Sequence, residues 1–315
     1  MIVRFFASLA EVPDDFGPSA VTIGKFDGVH IGHRRVLEAL RTIATDEKLV
    51  STVMTFDRHP LALLNSQLSP LPLSSNRQKR ELLAATGVDA TIMEPFTAEF
   101  SALEPEEFVD TVLVRALNAR IVFVGSTFRF GHGGRGDVAL LTELGATRDF
   151  GVRSIDEVFA DDHTAVSSTL VRDLLSRGDI QGATRLLGRA PEVRAIVVHG
   201  QQRGRELGYP TANLSRDLEG FIPADGVYAA RIIIDGQSMP AAVSIGNNPT
   251  FEGVPEKQVE AHVLDEDFDM YGKLVTLEFV DYVRPMVRFS DVDGLIAQMK
   301  LDEANVREIL GVPAR

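Results

Sequence analysis

The first half of the chain has short apolar runs that alternate with stretches whose apolar residues recur at helical spacing. These runs and stretches follow one another at 21–23, 32–43, 49–56, 77–86, 90–96, 105–117, 121–125 and 138–144. Strands that are almost entirely apolar, separated by amphipathic helices, are typical of a parallel sheet covered on both faces. In such an α/β sheet ligands bind beyond the carboxyl ends of the strands, so the residues that follow each strand are the candidates for a site.

From about residue 187 the pattern changes to short strand-like runs separated by turns rich in Gly, Pro, Asn and Asp. The pair Asp235-Gly236 is a strong hairpin signal. A series of short strands of this kind predicts a small antiparallel β-barrel. A last stretch with helical spacing, after residue 290, predicts a terminal helix that covers the barrel. We therefore predict two domains, residues 1–186 and 187–315.

Composition narrows the class of protein and of partner. The net charge is −13 and neither half has an excess of Lys and Arg, which argues against a nucleic-acid partner. Cysteine is absent, so disulfides, thiolate nucleophiles and cysteine-bound zinc are excluded. The sequence has no apolar run of membrane-spanning length and no secretory signal, so we expect a cytoplasmic protein without a membrane partner. Self-association between domains of neighbouring chains stays open.

The stretch VTIGKFDGVHIGH, at 21–33, joins the first strand to the first helix. Free backbone N–H groups at a helix start form an anion site, and His30 and His33 can both lean toward it. Two imidazoles that donate hydrogen bonds suit nucleotidyl transfer at an α-phosphate, which needs no protein nucleophile. A pair of surface histidines, or half of a metal site, is the alternative. The other candidates for ATP contacts in this stretch are Gly24, Phe26, Asp27 and Gly32.

Two further strand ends carry candidate residues. Asp57-Arg58-His59-Pro60 follows one strand, so we expect His59 on the same rim as the histidine pair, unless the segment is only a turn. Thr127 and Phe128 follow another strand and are candidates for ligand contacts, although packing is the common fate of a phenylalanine. Gly131, Gly133 and Gly136 have the G-x-G-x-x-G spacing of a dinucleotide-binding fingerprint. They lie too far beyond the end of the strand to form that motif.

A helix start near residue 168 is the last candidate of the first half. Ser167, Ser168 and Thr169 precede an apolar helical pattern, and Arg172 adds a positive charge next to that terminus. A helix N-terminus with an arginine is a suitable place for the outer phosphates of ATP. The alternative is that the hydroxyls only cap the helix.

Two stretches of the second half carry candidate chemistry. Residues 199–214 contain a glycine-rich loop that permits close backbone approach to phosphates, or simply forms a barrel corner. Its candidate residues are Gly200, Arg203, Gly204, Arg205 and Gly208. Thr211 and Asn213 follow with two neutral oxygens on one side of an extended segment, which suits Mg²⁺ held mainly by ATP. Further on, Glu260 and His262 alternate with apolar neighbours and so face one side of a strand.

These strings together resemble the bacterial riboflavin kinase/FAD synthetases over nearly the whole chain. The matching strings are GKFDGVHIGH, TFDRHP, GSTFRFG, VSSTLVR, GRELGYPTAN and VEAH. The resemblance implies a Rossmann-like nucleotidyltransferase domain that joins AMP to FMN, followed by a riboflavin kinase-like barrel that phosphorylates riboflavin. Both steps would use ATP and Mg²⁺. It also implies that Glu260 is the general base for the ribityl 5′-hydroxyl, with Thr211 and Asn213 on the metal.

Three residues depart from the family pattern, all in the first half. Arg58 stands where proline is usual, Thr127 where Asp or Asn is usual, and Ala165 where a basic residue is frequent. Two alternatives stay open on this account: a kinase with an impaired adenylyltransferase domain, and a flavin-binding regulatory protein without catalysis. A third alternative is an adenylyltransferase for another phosphorylated vitamin, although the barrel motifs around Thr211 and Glu260 are intact.

Overall fold

The computed structural model describes residues 3–155, 159, 165–199, 209–246, 257–266, 269–289 and 291–313. The chain divides into two compact units, Met1–Ser167 and Ser168–Arg315. The domain boundary at residue 186 remains a prediction, and each unit is described by itself.

The first unit is built on a parallel sheet of six strands, as the apolar runs predict. The strands are β1 (Arg4–Phe6), β2 (Ser19–Ile23), β3 (Val50–Phe56), β4 (Ala90–Glu94), β5 (Ala119–Gly125) and β6 (Gly151–Ile155). Their order in the sheet is β1-β4-β3-β2-β5-β6, and every neighbouring pair is parallel. All five residues of β2 are buried, because the sheet is covered on both faces.

Helices pack on both faces of this sheet. The α-helices are α1 (Ile31–Asp46), α2 (Pro60–Leu64), α3 (Asn76–Ala84), α4 (Ala98–Ser101), α5 (Pro105–Phe108) and α6 (Val138–Thr147). A π-helix, Val109–Ala116, continues α5, and 3₁₀ turns lie at Leu9–Glu11, Ser66–Leu68 and His132–Gly134. Consecutive residues of β3 belong to separate hydrophobic cores. Met54 packs in one core with Phe108 and Leu113, and Val53 packs in the other with Leu37 and Leu40 of α1.

The strand order defines where a ligand can bind. The chain runs from β2 to β3 on one side and returns later to place β5 on the other side of β2. Connections therefore diverge between β2 and β5, which is the switch point where open α/β sheets hold their ligands. The segments that leave this edge are residues 24–30 after β2, 57–59 after β3 and 126–137 after β5.

The second unit contains a closed antiparallel barrel and a terminal helix, as predicted, together with two further helices. Two helices, α7 (Ser168–Ser176) and α8 (Ile180–Leu187), precede the strands. The strands are β7 (Glu192–Val198), β8 (Ala212–Leu214), β9 (Gly226–Ile234), β10 (Gln237–Gly246), β11 (Gln258–Val263) and β12 (Leu274–Arg284). They close in the order β10-β11-β8-β7-β12-β9. Inward residues such as Val259, Ala261 and Leu277 are fully or almost fully buried.

The terminal helix α9 (Val292–Leu310) covers one side of the barrel. Val306 and Leu310 pack with Ala229 and Leu264. Two charge clusters join the helix to the barrel. In one, the Asp302 carboxylate accepts hydrogen bonds from Arg284 of β12. In the other, Arg307 of the helix donates to Asp265, just after β11, and to Glu303 of the helix itself. Within the described ranges no helix is both long enough and apolar enough to span a bilayer.

Candidate active sites

The loop between β2 and α1, residues 24–30, has an unusual backbone. Phe26, Gly28 and Val29 all have positive φ, at 46°, 74° and 40°. Phe26 and Val29 are buried, at 3% and 0% exposure, so core packing holds these two side chains in a left-handed conformation that they rarely adopt. Gly24 lies so close to the Phe26 ring that an added Cβ would come within 3.0 Å of it. Backbone strain of this kind concentrates at functional sites.

His30 and His33 are brought together at the start of α1. His30 is the N-cap residue, and its Nδ1 accepts the backbone N–H of His33 at 3.3 Å. That bond leaves Nε2 as the nitrogen of His30 that can donate. The two rings stack with centroids 3.7 Å apart and planes at 14°, and Phe26 lies against His33 with centroids at 4.9 Å. The predicted pair therefore forms one compact imidazole stack.

His33 is held as a neutral ring. Burial lowers the pKa of His33 well below its usual value, and His30, Lys25 and Lys79 lower the pKa further by charge repulsion. Its Nδ1 is a buried atom without a hydrogen-bond partner among the described residues. A neutral imidazole donates and accepts hydrogen bonds without adding a formal charge, which suits a group that contacts a phosphate during transfer.

Asp27 has a positioning contact that the sequence does not indicate. Its carboxylate accepts the backbone N–H of Leu73 at 3.0 and 3.1 Å and that of Ser74 at 3.3 Å. The residue is 8% exposed, and Gly28 N–H donates to Ser74 Oγ at 3.4 Å. Asp27 thus joins the loop to the segment that precedes α3.

Lys79 of α3 is a buried cation next to this loop, and sequence reasoning did not find it. It is 7% exposed, and its Nζ donates to the carbonyl of Phe56, the last residue of β3, at 3.0 Å. Burial lowers its pKa, while Asp27 and Asp57 act in the opposite direction. The available signal was its position four residues before Leu83 on the buried side of an amphipathic helix.

His59 lies at the carboxyl end of β3, the neighbour of β2, and is the N-cap of α2. Its Nδ1 accepts the N–H of Leu61 at 3.1 Å. The neighbouring Arg58, which departs from the family pattern, pairs with Asp57 at 2.9 Å. Because the guanidinium already engages a carboxylate, a phosphate contact from Arg58 would have to compete with that pair.

Thr127 and Phe128 lie beyond the end of β5. They line an open cleft whose other walls include Asp137 and Val138 at the start of α6. Thr127 is exposed, whereas Phe128 stacks on Phe130 at 5.7 Å and packs against the core. Thr127 is thus free to meet a ligand in this cleft, and Phe128 presents only part of its ring.

The candidate phosphate-binding residues at the start of α7 lie at the boundary between the two units. Ser167 is the last residue of the first unit, and Ser168, Thr169 and Arg172 belong to the second. Thr169 is exposed and Arg172 is half-buried. Their contact with a nucleotide remains a prediction.

The second site is centred on Glu260 of β11. Antiparallel pairing sets Glu260 opposite Asn213 of β8 and opposite Ser244 of β10. Glu260 is half-buried, while its strand neighbours Val259 and Ala261 point into the barrel. Burial raises the pKa of Glu260, and a hydrogen bond with the Thr211 side chain opposes that rise. The predicted residues Glu260, Thr211 and Asn213 therefore lie together on the outer face.

The donors in this cluster fit a magnesium ion that is held mainly by substrate. Thr211 and Asn213 supply neutral oxygens beside the Glu260 carboxylate, and Mg²⁺ prefers oxygen donors and retains water or phosphate ligands. The described residues contain no group of three or more His, Asp or Glu that would form an all-protein metal cage. The glycine-rich loop candidates Gly200, Arg203, Gly204, Arg205 and Gly208 lie outside the described residues.

Paired histidines at the switch point of a parallel sheet and a half-buried glutamate on a barrel strand are two candidate sites, one in each unit, of the kind that a transferase with two activities would need. Family models agree: residues 13–170 match FAD synthetase and residues 187–310 match riboflavin kinase. The chain belongs to the bifunctional riboflavin kinase/FMN adenylyltransferase family. It is an enzyme of FAD biosynthesis that carries both activities, and its substrates are ATP and flavins.

Similar proteins cover the full length of the chain. The bifunctional riboflavin kinase/FMN adenylyltransferase of Escherichia coli (strain K12) is 35% identical over 314 residues, 99% of this chain and 98% of that protein. The protein of the same description from Listeria monocytogenes serovar 1/2a is 35% identical over 288 residues, 91% of each. A crystal structure described as a macrolide-efflux protein from Streptococcus pneumoniae has a TM-score of 0.85 at 31% identity, covering 98% and 99% of the two chains.

Proposed function

We propose that AMP transfer to FMN takes place beyond the carboxyl ends of β2, β3 and β5. The stacked pair His30 and His33 carries this proposal, because two close imidazoles at a helix start fit charge that develops on an α-phosphate. An FMN phosphate oxygen attacks the α-phosphorus of ATP, the bond from that phosphorus to the β-phosphate oxygen breaks, and pyrophosphate leaves. No side chain becomes covalently attached.

The other residues of this site bind and position. Gly24 leaves room for the Phe26 ring, and Phe26 and Asp27 hold the loop by the contacts described above. We assign Gly32, at the start of α1, to close approach of the phosphates, because glycine adds no side chain there. We assign the outer phosphates to Ser167, Ser168, Thr169 and Arg172 on the strength of the VSSTLVR string. His59, Thr127 and Phe128 are assigned to FMN, since they follow the strands on either side of β2.

The barrel site phosphorylates riboflavin. Glu260 takes the proton of the ribityl 5′-hydroxyl as its oxygen attacks the γ-phosphorus of ATP, and ADP leaves. The raised pKa of Glu260 supports this role, because a carboxylate that burial makes more basic is a better proton acceptor. Mg²⁺, held by Thr211, Asn213 and ATP, would neutralise phosphate charge. Gly200, Arg203, Gly204, Arg205 and Gly208 are assigned to ATP by the GRELGYPTAN string and its preceding loop.

One pair of variants tests the two assignments against each other. Glu260→Gln keeps the size of the side chain but removes the base, and we expect kinase turnover to fall by ~10²–10⁴. Adenylylation of supplied FMN should continue at the wild-type rate. His30→Ala should give the opposite result, with FAD formation impaired and FMN formation kept. Loss of both activities in either variant would contradict the assignment of two independent sites.

We also propose that the chain self-associates and works in the cytoplasm, where ATP is supplied. Four leucines at the end of α2 and in the segment that leads to α3 are strongly exposed: Leu63 at 41%, Leu64 at 61%, Leu68 at 67% and Leu71 at 72%. Clustered exposed apolar side chains are typical of a protein–protein contact. Light scattering on the wild type and on Leu64→Glu tests this, because a monomer in both cases would refute it.

A further inference from the structure

Within the part of the chain that the structure describes, the pairing of β8 with β11 does not reach Thr211. The pairs between β8 and β11 are Glu260 with Asn213 and Ala261 with Ala212, and β8 begins at Ala212. One more step in this register would set His262 opposite Thr211. The ladder stops short of that step, and Pro210 has no N–H with which to extend it. A side-chain contact holds the chain just before β8.

The side chain of His262 makes that contact. Its Nδ1 lies 2.8 Å from the carbonyl oxygen of Pro210. A carbonyl only accepts, so Nδ1 carries the hydrogen and donates it. The ring also meets Tyr209 edge-on, with centroids 5.2 Å apart and planes at 61°. His262 is half-buried on the same face of β11 as Glu260.

We propose that His262 is a positioning residue of the kinase site: its Nδ1–H holds the Pro210 carbonyl and thereby keeps the Thr211 hydroxyl on the Glu260 carboxylate. The proposal rests on the proposed kinase site. His262 is given no proton to transfer and no contact with substrate. Its effect passes through Thr211, which is both a partner of Glu260 and a proposed oxygen ligand of Mg²⁺.

Two variants separate positioning from bulk structure. His262→Phe keeps a ring against Tyr209 but removes the donor. We expect kinase kcat to fall and the Mg²⁺ concentration for half-maximal rate to rise, each by about 10–100-fold, the usual effect of losing a residue that orients a metal ligand. The KM for riboflavin should stay unchanged. His262→Asn, whose amide can donate to the same carbonyl, should recover most of both losses.

Adenylylation of supplied FMN is the internal check of folding and should stay at the wild-type rate in both variants. Wild-type Mg²⁺ dependence and kcat in His262→Phe, with the kinase abolished in Glu260→Gln, would overturn the proposal and leave the kinase site intact. Equal loss in the Phe and Asn variants would also overturn it. An unimpaired Glu260→Gln would refute the kinase site and the proposal together.

Nitrogen-15 NMR of histidine-labelled protein gives a readout that does not depend on activity. The signal that disappears in His262→Asn belongs to His262. We expect it to show the hydrogen on Nδ1, as the bond to the Pro210 carbonyl requires. The opposite tautomer would overturn the proposal whatever the kinetics show.

Discussion

Removing the carboxylate of Asp27 should destabilise the first unit and impair only adenylylation. In Asp27→Ala the N–H groups of Leu73 and Ser74 lose a buried charged acceptor. A buried donor left unpaired costs about 1–3 kcal/mol, so the two together predict ~2–6 kcal/mol. At a urea slope of about 2 kcal/mol/M, this shifts the unfolding midpoint down by ~1–3 M.

The chain offers its own control for this experiment. It has no tryptophan, and its four tyrosines, at 209, 228, 271 and 282, all belong to the second unit. Tyrosine fluorescence therefore follows the barrel, while far-UV circular dichroism follows both units. In Asp27→Ala we expect the circular-dichroism transition that fluorescence does not report to shift to lower urea concentration. The midpoint measured by fluorescence should stay unchanged. Loss of the 24–30 loop anchor should lower the adenylylation rate and spare the kinase.

Asp27→Asn is the matched variant. Leu73 and Ser74 both reach Oδ1, so a single carbonyl oxygen can accept both N–H groups. We expect a loss of about 1 kcal/mol, from exchanging a charged acceptor for a neutral one. A midpoint shift below ~0.5 M in Asp27→Ala at the same slope, or equal effects of Ala and Asn, would refute the anchoring role.

Three further predictions follow from the charged groups. His33 should titrate below pH 6.5 by NMR, and a midpoint at 6.5 or above would contradict this. Because the pKa of His33 is lower in the folded state, the folded state is fully stable with respect to this group above pH 6.5 and loses stability as the pH falls. Lys79→Met should raise the titration midpoint of His33, because it removes one repelling cation while burial, the larger cause of the lowered pKa, stays. An unchanged midpoint would exclude an electrostatic effect of Lys79 on His33. Asp302→Ala removes the buried carboxylate that the half-buried Arg284 contacts, and it should cost the barrel about 3 kcal/mol, the lower end for breaking a buried pair. Tyrosine fluorescence measures this loss, and an unchanged midpoint would show that the pair contributes nothing.

Much of the fold is visible in the sequence because it depends on local periodicity. The alternation around Glu260 predicts the shared face with His262, and the apolar run before Gly24 predicts the central strand β2. The pattern at 105–117 predicts one helix, whereas the structure has a turn of α-helix followed by a π-helix. Side-chain spacing does not reveal a change in hydrogen-bond offset.

The contacts that complete the sites escape sequence reasoning because they join distant residues. Asp27 meets Leu73 and Ser74 across 46 and 47 positions, and His262 meets Pro210 across 52. No motif spans such distances. The strand β1, Arg4–Phe6, escapes sequence prediction for a different reason, since three residues are too few to show a period.

The most direct test of the account is a time course of the purified protein with riboflavin, ATP and Mg²⁺, with riboflavin, FMN and FAD separated by chromatography. We expect FMN to rise first and then to decline as FAD accumulates, because the barrel supplies the substrate of the first unit. FMN that accumulates without FAD would contradict an active histidine site and favour a kinase whose Arg58, Thr127 and Ala165 have impaired adenylylation. The absence of any turnover would contradict both sites.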